Sequence, residues 1–157
     1  MTERSVQHAT FVIERTYPAQ PARVFAAWAS QEAKKVWMND PDYQADGTSG
    51  EFDFRIGGHE RFGGLAPDGT SYRYDARYYD IVPDERIVYA YEMYMGADRI
   101  SVSVTSVQVE PADGGATLTY TEQGAFLDGH DQPEARHEGM ESLLGSLGKY
   151  LAGQAVN

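Results

Sequence analysis

Residues 72–94 read YRYDARYYDIVPDERIVYAYEMY and hold seven of the chain's eleven tyrosines. Two alternating runs flank Pro83-Asp84-Glu85. Period-two alternation rich in aromatic and β-branched residues, interrupted by a proline turn, predicts a β-hairpin over 72–82 and 86–95. Alternation puts Tyr72, Tyr74 and Tyr78 on one face of the first strand, with Arg73, Asp75, Arg77 and Tyr79 on the other. On the second strand Tyr89, Tyr91 and Met93 point together. Rings gathered on one side of a hairpin line either a core or a cavity, so this stretch bears on both fold and function.

The same period extends in both directions. Upstream, residues 51–56 alternate and stop at Gly57-Gly58. Residues 60–65 form the next strand and end in the turn Ala66-Pro67-Asp68-Gly69. Here Glu60 and Phe62 share a face, opposite His59 and Arg61. Downstream, residues 100–110 are a run of Ser, Thr and Val, Asp113-Gly114-Gly115 is a hairpin turn signal, and 116–123 closes the sheet with Tyr120 and Glu122 side by side. Before all of these lie a strand at 10–16, a helix at 21–29 opened by Pro21, and a second helix at 31–37 capped by Ser30 and stopped by Asn39-Asp40-Pro41-Asp42.

The chain closes on one long helix from Gln132-Pro133-Glu134, with Met140, Leu143, Leu144, Leu147 and Leu151 on one stripe. His137 and Arg136 flank that stripe at its start. Gly139, Gly145 and Gly148 each cost about 1 kcal/mol relative to Ala in an isolated helix, so tertiary contacts must hold it. Gly148 beside the stripe permits close approach to another surface. The order is therefore one strand, two short helices, six strands and a long helix, an α+β arrangement. A seven-stranded antiparallel sheet with a single long helix must curl around that helix, and any space left unfilled is a cavity.

At 157 residues the chain is one domain with a core at about 9–152. It has no cysteine, which excludes disulfides, thiolate metal sites and a cysteine nucleophile. The formal charge of −11 argues against nucleic acid and anionic membranes as partners. The absence of an apolar leader core or a membrane-length apolar run leads us to expect a cytoplasmic protein.

Several segments together resemble a known family: Pro21-Ala22-Arg23-Val24-Phe25-Ala26-Ala27-Trp28, Trp37, Gly57-Gly58-His59-Glu60-Arg61-Phe62, Gly114-Gly115-Ala116-Thr117-Leu118-Thr119 and the final helix. The most specific is Asp80-Ile81-Val82-Pro83-Asp84-Glu85-Arg86-Ile87-Val88-Tyr89. The chain is similar to the SRPBCC or START-like superfamily with its helix-grip fold, in the branch resembling the C-terminal domain of the activator of the heat-shock-protein ATPase. The resemblance covers nearly all of residues 9–152. It implies a cavity between sheet and terminal helix and, from the superfamily, hydrophobic ligands and some enzymatic members. Fold alone does not assign a function.

No chemical motif is present. His8, His59, His130 and His137 form no metal-spaced pair, and no nucleophile elbow, phosphate-cradling loop or dinucleotide fingerprint occurs. Asp128, His130, Asp131 and His137 fall close together at the loop before the helix, where a polar loop with a capping aspartate accounts for them. No cofactor or metal is expected. The cavity candidates are Trp37, Phe54 and Phe62, then Tyr72, Tyr74, Tyr89, Tyr91 and Met93 from the hairpin, Tyr120 and Glu122 from the last strand, and His137, Met140 and Leu144 from the helix. The expected function is binding of a small hydrophobic or aromatic molecule. A cyclase- or hydrolase-type enzyme using His137, Glu122 and tyrosine hydroxyls is the alternative, and a chaperone ATPase-interacting module a further one. A homodimer covering an edge strand such as 10–16 is also considered.

Overall fold

A computed structural model describes residues 3–38, 44–45 and 50–156. Strands and helices follow in the order β1 (Val6–Tyr17), α1 (Pro21–Ala29), α2 (Gln31–Trp37), β2 (Gln44–Ala45), β3 (Glu51–Phe52), β4 (His59–Leu65), β5 (Ser71–Val82), β6 (Arg86–Met95), β7 (Asp98–Ala112), β8 (Gly115–Leu127) and α3 (Pro133–Leu151). One curved antiparallel sheet runs β1-β8-β7-β6-β5-β4-β2, with β3 also pairing with β4. This is the helix-grip α+β arrangement expected, with two changes, the first being the short strand β2, where none was expected. The predicted strand at 51–56 keeps only Glu51–Phe52. Beyond it Arg55 N–H donates to the Asp53 carbonyl and Gly58 N–H to the Arg55 carbonyl. A Cβ on Gly58 would lie 2.0 Å from the Asp53 carbonyl oxygen, so only glycine permits this turn. The turn overrides the Phe52/Phe54 alternation and stacks the two rings at 6.1 Å. The expected stop at Asn39–Asp42 lies outside the described residues.

Pleating sets the inner face. Ala76 and Tyr78 of β5, Ile87, Tyr89 and Tyr91 of β6, and Tyr120 and Glu122 of β8 are buried. Register pairs Tyr78 with Tyr89, Ala76 with Tyr91 and Tyr74 with Met93, so the hairpin rings face the same side. Alternation turns Tyr79 outward, and a bulge between Tyr78 and Asp80 leaves it without a register partner on β6.

The helices close over that face. Ser30 Oγ accepts from Ala33 N–H and caps α2, and Trp37 Nε1 donates to the Ala27 carbonyl, tying α2 back to α1. Along α3, Met140, Leu144, Leu147 and Leu151 are buried. At about 1.5–3 kcal/mol per buried side chain, these four outweigh the roughly 3 kcal/mol cost of three helical glycines. The Tyr17 hydroxyl donates to the Leu144 carbonyl at 2.8 Å, and its ring lies against Gly148, where an added Cβ would come within 3.2 Å of it. Gly148 is thus the close approach its place beside the stripe predicts. Arg23 donates to the Leu151 carbonyl and helps finish the helix. Among the described residues no helix is long and apolar enough to cross a membrane.

Candidate functional site

Two charged clusters are buried on the concave face, joined by a row of rings. The first centres on Glu122, which is 0% exposed. Register places it beside Thr105 of β7, and pleating brings three strand donors onto its carboxylate, with a fourth from α3. Tyr120 donates to Oε1 at 2.7 Å, and Tyr91 and Ser103 donate to Oε2 at 2.6 and 2.8 Å. Arg136, in the first turn of α3, adds a contact to Oε2 at 3.4 Å. The Arg136 guanidinium also donates to the Tyr91 hydroxyl at 2.8 Å, Ser101 Oγ at 2.9 Å and Asp131 Oδ2 at 2.9 Å, and lies over the rings of Tyr91 and Phe126. Burial works against its charge, but Tyr91, Glu122 and Asp131 more than offset that and push its pKa up.

The second cluster joins α2 to β4 and β5. Lys34 Nζ donates to Glu60 Oε1 at 2.8 Å, the Tyr78 hydroxyl donates to the same oxygen at 2.7 Å, and both charged residues are buried. Lys34 Nζ sits 5.4 Å from the Trp28 ring centre and 5.6 Å from that of Phe52.

Between the clusters the rings run in contact. Phe62 stacks on Tyr74 at 4.7 Å, Tyr74 meets Tyr91 at 5.0 Å, Tyr91 meets Tyr89 at 6.2 Å, and Tyr89 meets Tyr78 at 5.9 Å. Burial raises the pKa of Tyr74, Tyr78, Tyr89, Tyr91 and Tyr120, and neighbouring phenols and carboxylates reinforce it. At neutral pH these hydroxyls are hydrogen-bond donors, not bases. The row opens outward at Phe62, which is 45% exposed.

The structure therefore brings Tyr74, Tyr89, Tyr91, Tyr120 and Glu122 together, with Tyr72 and Met93 half-buried on the same face. Phe54 packs with Phe25 and Tyr78 beside the Lys34 cluster. Trp37 and Leu144 are 0% exposed in the core, and Met140 joins them. His137 does not reach the Glu122 cluster: its ring stacks on Phe11 at 4.6 Å and its Nε2 faces Glu141 at 3.2 Å, half-exposed. His137 thus packs on β1, and the basic side chain that reaches Glu122 is its neighbour Arg136. Lys34 and Glu60 were absent from the predicted set, although alternation already put Glu60 on the face of Phe62.

Trp28 Nε1 and Thr105 Oγ1 are buried without a hydrogen-bond partner among the described residues. Two hollows, of about 460 and 560 Å³, lie on the convex side of the sheet, one lined by His8, Thr10, Val102 and Val104, the other by Arg61, Asp75, Arg77 and Tyr79. No group of histidine and carboxylate side chains among the described residues could hold a metal. Asp128 instead accepts from Ser5 N–H and Arg4, which hold its carboxyl below the usual range, and Asp131 accepts from Gln132 N–H and Arg136.

Residues 18–152 match the family described as "Activator of Hsp90 ATPase homolog 1-like protein". Among solved structures, an uncharacterised protein from Rhizobium leguminosarum is similar at 46% identity and TM-score 0.91, covering 98% of this chain and 100% of that one. A protein from Rhizobium loti is 46% identical with TM-score 0.84, covering 92% and 97%. A protein from Chromobacterium violaceum is 25% identical with TM-score 0.76, covering 90% and 96%. No protein of curated function matches.

Proposed function

From the premise that this chain belongs to the activator of Hsp90 ATPase homolog 1-like family, we propose that it binds a small, largely apolar or aromatic molecule on the concave face of its sheet. The observation that carries this is the aromatic row itself. It starts at a ring exposed to solvent, Phe62, passes through half-buried Tyr74, and ends on buried Tyr91, whose hydroxyl meets Arg136 and Glu122. Binding faces combine apolar and aromatic lining with a few fixed polar groups, which is the composition found here. The reading places the guest against Phe62, Tyr74 and Met93, at the open end of the row. Deeper positions are filled by side chains in mutual contact.

The test is a thermal-shift and native mass spectrometry screen of small neutral aromatic and aliphatic compounds, on the wild type and on Phe62→Ala and Tyr74→Ala. A ligand at 100 times its Kd stabilises the fold by about 2.7 kcal/mol. For a domain of this size that raises Tm by roughly 5–11 °C. Both variants should lose the shift. A screen in which nothing shifts the wild type, or in which the variants respond as it does, overturns the proposal.

A further inference from the structure

We infer that the guest on this face is an organic monocation, a protonated or quaternary amine with an apolar body, and not a carboxylate or a phosphate. This rests on the ligand-binding reading above and names the charge class of the molecule that site receives.

The first argument is a count of formal charge. Glu60, Glu122 and Asp131 stand against Lys34 and Arg136 in the two clusters, three negative groups against two positive. The second concerns donors. Arg136 Nη1 serves Tyr91 and Glu122, and its Nη2 serves Ser101 and Asp131. Lys34 Nζ serves Glu60 and reaches toward Tyr78. An incoming anion would have to break these ion pairs and would settle beside the carboxylates released. A cation held by ring faces at the open end needs no such exchange.

The third argument is that this face already receives positive charge twice. The Arg136 guanidinium carbon is 5.1 Å from the Phe126 ring centre and 5.6 Å from that of Tyr91, and Lys34 lies between Trp28 and Phe52. In both cases ring faces with negative quadrupoles are combined with a carboxylate. Phe62, stacked on Tyr74, presents an exposed ring at the end of the same row. The net charge of −11 adds a long-range field that concentrates cations near the surface.

Three benzyl compounds separate charge from apolar contact: benzyltrimethylammonium, its neutral carbon isostere neopentylbenzene, and the anion phenylacetate. Affinities are measured by ligand-observed NMR at low and moderate salt, on the wild type and on Phe62→Leu. Phe62→Leu keeps apolar bulk and removes the ring at an exposed position. The cation should bind roughly ten-fold more tightly than neopentylbenzene. Phenylacetate should not bind, and Phe62→Leu should erase the preference for the cation. Equal or tighter binding of neopentylbenzene overturns the charge assignment while leaving an apolar binding face in place. Preferential binding of phenylacetate does the same. Failure of all three probes overturns both readings together.

Discussion

Raising the pH should unfold this protein in one cooperative step. Six phenols, those of Tyr17, Tyr74, Tyr78, Tyr89, Tyr91 and Tyr120, have pKa values raised by burial in the folded chain. A group with a raised folded pKa contributes stability that is fully present below the unfolded value, near 10 for tyrosine, and is lost as pH climbs above it. At pH 11 each unfolded phenol gains about 1.4 kcal/mol by ionising while its folded counterpart stays neutral. Six such groups sum to roughly 8.5 kcal/mol, comparable with the whole stability of an ordinary domain, about 5–15 kcal/mol. Unfolding is therefore expected between about pH 10.5 and 12. The assay follows tyrosinate absorbance at 295 nm alongside far-ultraviolet circular dichroism. The six phenols should ionise in one step that coincides with loss of the dichroism signal. A smooth rise in absorbance to full ionisation with the fold intact would refute the reasoning.

Glu122→Gln removes the charge that strengthens the bonds from Tyr91, Ser103 and Tyr120. A charge-assisted bond exceeds a neutral one by about 1 kcal/mol, so the loss should be about 3 kcal/mol, read in urea unfolding, with Tm lower by about 6–12 °C. Lys34→Met strands the buried Glu60 carboxylate and should cost about 3–5 kcal/mol, while Lys34→Met with Glu60→Gln should recover most of it; a double variant as weak as the single one would contradict this. Gly139→Ala and Gly145→Ala meet open space and should each stabilise by about 1 kcal/mol, whereas Gly148→Ala presses on a Tyr17 ring held by its hydroxyl bond to Leu144 and should gain nothing or lose stability. Asp128→Asn should weaken the fold at neutral pH. That difference should vanish as pH falls below the ordinary carboxylate range, because Ser5 N–H and Arg4 lower the Asp128 pKa only in the folded chain.

The hairpin, the grouping of its rings by face and the terminal stripe were legible because pleat and helix repeat at fixed periods. Alternation grouped Tyr74 with Tyr78, Tyr91 with Tyr89 and Glu122 with Tyr120, each within its own strand, and left open which face turns inward. It could not show that the Gly57-Gly58 turn would cut the strand at Phe52, since that depends on backbone closure around Asp53 and Gly58. Nor could it choose between Arg136 and His137, neighbours that precede Met140 by four and three residues and both border the stripe. The choice was made by tertiary geometry. Arg136 finds Ser101, Tyr91 and Asp131 within reach, while His137 is taken up by Phe11 on β1. Lys34, beside Lys35 in a short helix, has the sequence of a solvated pair. Only its spacing of three from Trp37 hinted that it faced inward.

The two buried ion pairs do a job that apolar contacts on this face cannot. Met140, Leu144, Leu147 and Leu151 recur every three or four residues, so sliding α3 by one turn would bring another apolar group over all but one of the former positions. Apolar burial has no direction and barely distinguishes the two registers. The Arg136 side chain does distinguish them. One turn away its guanidinium would lose Tyr91, Ser101 and Glu122 together, leaving a carboxylate of 0% exposure without its charged partner. The Tyr17 hydroxyl bond to the Leu144 carbonyl and the Gly148 contact with that ring set the same register from the other end of the helix. Lys34 does the corresponding work for α2 against β4 and β5. Held at both margins, the sheet and helices keep the aromatic row between them in one arrangement, and a fixed arrangement of rings is what the proposed recognition of a guest would require.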